Sequence, residues 1–166
     1  MSNDRIGLAQ LSDLESITNI YNQAICAKTC TCDIELLLSD ERASWFSTHQ
    51  NELYPIFVYK RDDEIVGYSY ISPYREGRKA LQSVGEISYY VDFRCHRQGI
   101  GYKLVAHTIT KAKNIGYQNL LAIVLECNIG SISLLEKFGF IRWGYFPKIA
   151  VIDGDKHSHL YYGKPL

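Results

Sequence analysis

The sequence predicts an α/β domain, a mixed twisted sheet flanked by helices. Apolar residues alternate in some stretches and recur at helical spacing in others, and the two kinds of stretch succeed one another along the chain. A β-branched and aromatic run, Gly85 to Asp92, passes through two glycines into an amphipathic stretch from Gly101 to Lys113, the pattern of a strand turning into a helix. The composition, 46% hydrophobic and 22% charged over 166 residues, suits one domain, residues 1–166, with a sizeable core.

Arg5 to Ala9 reads as the first strand. Ser12-Asp13-Leu14-Glu15 reads as a capping box, the serine capping and the glutamate reaching back. The helix behind it sets Leu14, Ile17, Ile20, Tyr21, Ala24 and Ile25 on one face. Cys26 to Leu38 is loop or weak helix, and Ser39 and Asp40 can cap a second helix carrying Ala43, Trp45 and Phe46. Tyr54 to Lys60 and Ile65 to Ser72 are strands joined by an Arg61-Asp62-Asp63-Glu64 turn, and Pro73 to Ser83 is a polar loop. The fourth strand, Glu86 to Asp92, and the long helix come next. Asn119 to Glu126 is nearly continuously apolar, as in a buried strand. Asn128 caps a helix from Ser131 to Phe138, which Gly139 ends. Ile141 to Ile152 and His159 to Gly163 close the chain as strands around Asp153-Gly154-Asp155.

Net charge is zero and no basic block occurs, so no nucleic-acid partner is expected. No apolar run is long enough to span a membrane, and the start, Met1-Ser2-Asn3-Asp4-Arg5, has no signal-peptide character. Five cysteines without zinc spacing read as free thiols in a reducing cytoplasm, and no metal is expected.

Two short segments carry chemistry. His96-Arg97-Gln98-Gly99-Ile100-Gly101 joins the fourth strand to its helix. Glycines there gather backbone N–H groups at the positive end of a helix dipole, a site for phosphate, and Arg94 and Arg97 add charge. By itself the G-x-G is equally a plain turn with surface arginines. The second segment is Asn128-Ile129-Gly130-Ser131-Ile132-Ser133-Leu134-Leu135-Glu136-Lys137-Phe138-Gly139-Phe140. By itself it is an Asn-capped amphipathic helix.

Together, and in this order of elements, the two segments resemble those of the GNAT N-acetyltransferases. The first is similar to [Q/R]-x-x-G-x-[G/A], with His96 at the leading position. The second is similar to N-x-x-S-x-x-L-x-x-K-x-G-F. Asp33-Ile34-Glu35, the segment from Ser39 to His49, and the tail from Trp143 to Ala150 with Asp153-Gly154 narrow the resemblance to the phosphinothricin (PAT-like) acetyltransferases. The resemblance covers nearly the whole chain. It implies the GNAT acyl-CoA N-acyltransferase fold, acetyl-CoA as co-substrate, a small amino acid or analogue as the amine, and a homodimer. It further implies that acetyl-CoA is held by Tyr89, Tyr90 and Val91 of the strand, by His96, Arg97, Gln98, Gly99, Ile100 and Gly101 of the loop, and by Asn128 and Ser131.

Acetylation requires an amine that has lost its proton. Glu86 is a carboxylate in an apolar strand, and burial raises such a group toward the range of a useful base. It could equally face solvent at an edge; the resemblance implies that it is the base, acting through water. The resemblance also implies a strand bulge that exposes an oxyanion donor near Tyr90 or Val91, and a loop arginine, Arg78, that meets a substrate carboxylate in a bidentate pair. Arg78 could equally be solvated with Arg75 and Lys79. Where many relatives place a tyrosine acid the chain has Leu135, leaving Tyr89, Tyr90, Tyr145, Tyr161 and Tyr162 as donors among which the residues alone do not choose. Other readings are acetylation of a polyamine or peptide N-terminus, and a catalytically silent acyl-CoA-binding module.

Overall fold

In the computed structural model, which describes residues 3–166, the chain runs β1 (Asp4–Leu8), α1 (Leu14–Ala27), α2 (Ser39–Thr48), β2 (Ile56–Arg61), β3 (Glu64–Pro73), β4 (Val84–Val91), α3 (Ile100–Ile115), β5 (Asn119–Leu125), α4 (Ile129–Lys137), β6 (Ile141–Ile152) and β7 (Asp155–Pro165). This is the predicted order. Most boundaries differ by one or two residues; β7 is much longer than the sequence suggests, because its whole length pairs with β6 or β5. The expectation about a signal segment rests partly on Met1 and Ser2, which lie outside the described residues. No helix among those described is long and apolar enough to cross a membrane.

The strands form one seven-stranded sheet in the order β1-β2-β3-β4-β5-β7-β6. Every neighbouring pair is antiparallel except β4 and β5. The β2–β3 hairpin turns on Asp62 and Asp63, both at positive φ (48° and 68°), the double left-handed geometry that matches strand twist. The long helix and α4 cover one face, where Val105, Ile109, Ala112 and Leu135 pack on Ile71, Ile87, Leu120 and Leu160. The first two helices cover the other, where Ile17, Ile20 and Phe46 pack on Ile56, Val58 and Tyr68. Each such side chain contributes roughly 1.5–3 kcal/mol on burial.

Neither early helix is capped as the sequence suggests. Ahead of α1 the cap is Gln10, whose N–H donates to the Asp13 carboxylate (2.8 Å), so Ser12 is not the capping residue. Asp13 also accepts from Lys60 of β2 (2.9 Å), and this ion pair, with Asp13 buried, holds the helix start onto the sheet. Ahead of α2 the cap is Leu38, whose N–H donates to Glu41 (2.9 Å); Ser39 and Asp40 already lie in the first turn. In both cases a carboxylate at the third position reaches back to the N–H of the cap residue, and no serine side chain caps the helix.

The strand that matters for the site is β4. Its register with β3 is constant from Gly85↔Pro73 to Val91↔Gly67, so the bulge expected near Tyr90 or Val91 is absent. On its other side it pairs with β5 only at Val84↔Asn119, Gly85↔Leu120 and Glu86↔Leu121. Beyond Glu86 the two strands part, because β5 goes on pairing with β7 as far as Leu125↔His159 while β4 stays with β3.

Asp13→Ala strips the partner from a partly buried lysine and from the Gln10 N–H. It should lower unfolding free energy by about 1–3 kcal/mol, read as a lower denaturant midpoint at unchanged slope. A midpoint equal to the parent's would mean the pair contributes nothing.

Candidate active site

Backbone hydrogen bonds alternate along an antiparallel strand. The N–H of Asp92 donates to the carbonyl of Val66 in β3 (2.9 Å), which fixes that alternation. Ser88 and Tyr90 therefore turn their backbone groups toward β3, and Ile87, Tyr89 and Val91 turn theirs toward the gap. Backbone groups denied a strand partner need another one. The gap opens into a cleft of about 580 Å³ bounded by β4, β5, the loop before α3, and α4. Tyr89, Tyr90, Val91, His96, Arg97, Gly99, Ile100, Gly101, Asn128 and Ser131 all line it. Of the residues expected there only Gln98 does not; it accepts from Arg61 (2.5 Å) on the outside of the loop.

The loop is built to present N–H groups. Arg97 and Gly99 both adopt positive φ (59° and 81°), and Gly99 is the N-cap of α3, so the first N–H groups of a sixteen-residue helix face the cleft unpaired within the helix. Such a terminus attracts phosphate. The charge there differs from expectation. Arg94 is drawn away: it donates to the buried Asp92 (3.0 and 2.8 Å) and to Glu64 (2.7 Å), leaving Arg97 as the loop arginine on the cleft. Those hydrogen bonds from Arg94 hold Asp92 below the usual carboxylate range. The ring Nε2 of His96 lies 3.0 Å from the Val91 carbonyl, so the loop's leading residue ties down the last backbone group of β4.

Across the cleft Asn128 caps α4, its side-chain oxygen accepting from the Ser131 N–H (3.2 Å). Its amide nitrogen makes no hydrogen bond among the described residues. The hydroxyls of Tyr89 and Ser131 lie 2.5 Å apart, bridging β4 and α4. Leu135, fully buried, points into the core.

Glu86, Ser88 and Tyr90 lie on the opposite face of β4, beside Ser72, Tyr70 and Tyr68 in register. Here an aromatic wall rises under α1 and α2: Tyr90 packs on Tyr21 (5.0 Å between centroids) and on Tyr68 (5.3 Å), and Tyr70 on Trp45 (5.1 Å). Trp45 thus forms wall as well as core, and Phe46 is core alone. Glu86 is half-buried, and burial raises its carboxyl above the usual range. It lies just beyond the cleft lining, two residues from Ser88, which belongs to it. The carboxylate of Glu86 also opposes ionisation of Tyr161 on β7.

Arg42 belongs to this wall, although no motif in the sequence marks it. Its guanidinium is buried, stacked over Trp45 (3.9 Å) and Tyr21 (4.6 Å), and pairs with no carboxylate among the described residues; its Nη1 has no hydrogen-bond partner. The spacing of Arg42 and Trp45 on one helix was the available signal. Arg78, by contrast, stands exposed on the loop after β3, where its guanidinium makes no ion pair among the described residues. Cys127 lies 3.8 Å from His157, but burial pushes its thiol up, away from the reactive thiolate. Among the described residues no group of three His, Cys, Asp or Glu side chains is arranged to hold a metal ion.

Residues 16–140 match the model of the acetyltransferase (GNAT) family. YwnH of Bacillus subtilis (strain 168), provisionally named a phosphinothricin acetyltransferase, is 34% identical over 96% of this chain and 97% of its own. An L-methionine sulfoximine/L-methionine sulfone acetyltransferase of Salmonella typhimurium (strain LT2) is 27% identical over 88% of this chain and 85% of its own. Among solved structures, a GNAT superfamily phosphinothricin acetyltransferase from Sinorhizobium meliloti in complex with acetyl-CoA superposes with a TM-score of 0.92, covering 98% of this chain and 88% of that one at 26% identity. A parted strand pair, a glycine loop opening α3 and an Asn-capped α4 thus stand in a chain that, by family model and by close relatives along its whole length, belongs to the GNAT acetyltransferases.

Proposed function

We propose that this chain, as a single catalytic domain, acetylates the primary amine of a small amino acid or analogue, of the phosphinothricin or methionine sulfoximine kind, using acetyl-CoA. The observation that carries this reading is the parting of β4 and β5 immediately after Glu86, which sets a carboxylate on one side of the opening and free backbone donors on the other. The residues present suit the co-substrate. Backbone N–H groups from Gly99 to Gly101, with Arg97, would hold the pyrophosphate. Asn128 and the open edge of β4 would hold the pantetheine amides. Acetyl-CoA supplies an activated carbonyl; the chain supplies position and proton management.

Glu86 takes the amine proton, directly or through water, once its own carboxyl is ionised. The N–H groups of Tyr89 and Val91 face the opening and donate to the oxygen on which charge develops. Tyr90, expected in that role, turns its N–H toward β3. The substrate's acidic group is assigned to Arg78, whose exposed guanidinium is free to form a bidentate pair. Five free thiols support a cytoplasmic location, and the exposed Trp143, Tyr145, Phe146, Ile149 and Val151 of edge strand β6 support packing of a second copy there.

Glu86→Gln tests this reading. Turnover should fall roughly 10²–10⁴-fold while acetyl-CoA still binds. The parent's acidic limb should lie above the ordinary carboxylate range, because burial raises Glu86. The same shift has a thermodynamic sign. A carboxyl with a raised folded-state pKa costs stability once pH exceeds it, so Glu86→Gln should be more stable than the parent at neutral pH and no more stable in acid. Parental turnover with an unchanged pH profile would remove Glu86 from the mechanism.

Arg78→Ala should raise KM for an amino acid far more than for its decarboxylated amine, by roughly 10–100-fold for a lost charge-assisted contact. Equal effects on the two substrates would make Arg78 a surface residue.

A further inference from the structure

Attack of an amine on a thioester leaves negative charge on sulfur, and that charge needs a donor. The helix position where a tyrosine was sought holds Leu135, which is fully buried and has no proton to offer. The structure separates the remaining tyrosines. Tyr90 is packed among Tyr21 and Tyr68 on the far face of β4. Tyr145 of β6 is held to Ser158 of β7 (3.1 Å), and Tyr162 donates to Glu136 (3.1 Å). Tyr161 stands on the Glu86 side against Phe146 and His159. Tyr102 lies in the first turn of α3, beside the Gly99 turn, with its ring tilted against Phe138. Tyr89 alone among them reaches across the gap between β4 and α4, where its hydroxyl lies 2.5 Å from the Ser131 hydroxyl, and both residues line the cleft.

Position along the strand agrees. The strands part after Glu86, and Tyr89 is three residues further on, roughly 10 Å of strand. A thioester carbonyl brought within reach of an amine at Glu86 leaves its sulfur on the pantetheine side of that carbonyl, toward Tyr89. Two hydroxyls carry two protons; one makes the bond between them and the other is free to point at a third atom. The Ser131 carbonyl, 3.5 Å from the Tyr89 hydroxyl, is too distant to hold that proton against a charged acceptor. Asn128 fixes the turn that carries Ser131, and the N-terminus of α4 adds a favourable potential for an anion.

We propose that the paired hydroxyls of Tyr89 and Ser131 are the hydrogen-bond donor to the departing sulfur. The proposal rests on the acetyl-CoA reading above. The nitrogen lone pair forms the new C–N bond. The C–S bonding pair leaves with sulfur as thiolate. The amine proton goes to Glu86, and the thiolate takes its own proton from water after release. Tyr89 keeps its proton throughout: burial pushes its hydroxyl up to about 12, far above the range of a thiol, about 8.5 for cysteine. The pair therefore stabilises the thiolate without protonating it, and Tyr89 contributes no alkaline limb near its ordinary value.

The test is the ionisation of the thiol of bound CoA, followed by NMR of CoA labelled at the carbon attached to sulfur, in the parent, Tyr89→Phe and Ser131→Ala. In the parent the bound thiol should ionise at least about one pH unit lower than in Tyr89→Phe, the equivalent of a tenfold preference for the thiolate. With acetyl-CoA and an amine, kcat of either variant should fall roughly 10–100-fold at little-changed KM for acetyl-CoA. Identical thiol ionisation in the parent and Tyr89→Phe would overturn the proposal while leaving the cofactor reading intact. Failure of the parent to bind CoA would overturn the cofactor reading and this proposal with it. Should Tyr89→Phe fail to fold, Ser131→Ala, which removes only a partly exposed hydroxyl, decides in the same way.

Discussion

Two parallel strands that could pair along their whole length pair at three positions and then separate, and the backbone groups left over must find another partner. That constraint organises the rest of the molecule. The third strand holds β4 in regular register from Gly85 to Val91, so β4 cannot bend to follow β5. The seventh strand holds β5 in the same way on its far side. A bulge would have exposed one donor; the parting exposes a row of them at alternate residues. Family members described with acetyl-CoA bound share this fold, and here the exposed row lies between the Gly99–Gly101 turn and Asn128.

The two faces of β4 divide the chemistry. Odd-numbered side chains, Ile87, Tyr89 and Val91, face the long helix and α4 with the cleft, while Glu86, Ser88 and Tyr90 face the aromatic wall under α1 and α2. A single strand thus carries a carboxylate on one side and a hydroxyl on the other, with the opening between them. The cost is visible in the burial that raises Glu86 and Tyr89. Arg42 is a further buried charge, held by ring faces in place of a carboxylate. Sites that must discriminate charge distributions are where such groups are tolerated.

What could be read from the residues depended on how narrowly the backbone restricts them. The Gly99 turn and the Asn128 cap were legible because a left-handed residue at a helix start and an N-cap admit few side chains. Glu86 was legible as an acidic residue in an apolar strand. The helix starts at Gln10 and Leu38 were not, since neither residue is a usual cap and the start is held by a carboxylate three positions on, reaching back to the cap N–H. Arg94 looked like a phosphate ligand because its two partners are set by tertiary structure: Asp92, two residues back, is buried at the end of β4, and Glu64 lies thirty positions away on β3. Nothing local separates Tyr89 from Tyr90; strand register and the position of α4 do, and both are tertiary. Arg42 read as an ordinary helix position because its spacing from Trp45 does not by itself show burial, and the second ring over it, Tyr21, belongs to another helix.

The most direct test of the open edge is amide hydrogen exchange along β4 with and without acetyl-CoA. In the free protein the amides of Tyr89 and Val91 should exchange much faster than those of Ser88 and Tyr90, which pair with β3. Saturating acetyl-CoA should slow Tyr89 and Val91 selectively, together with the amides from Gly99 to Gly101. Protection that is uniform along β4 in the free protein, or amides of Tyr89 and Val91 that stay fast when acetyl-CoA is bound, would contradict the claim that the parted strand is where the co-substrate is held.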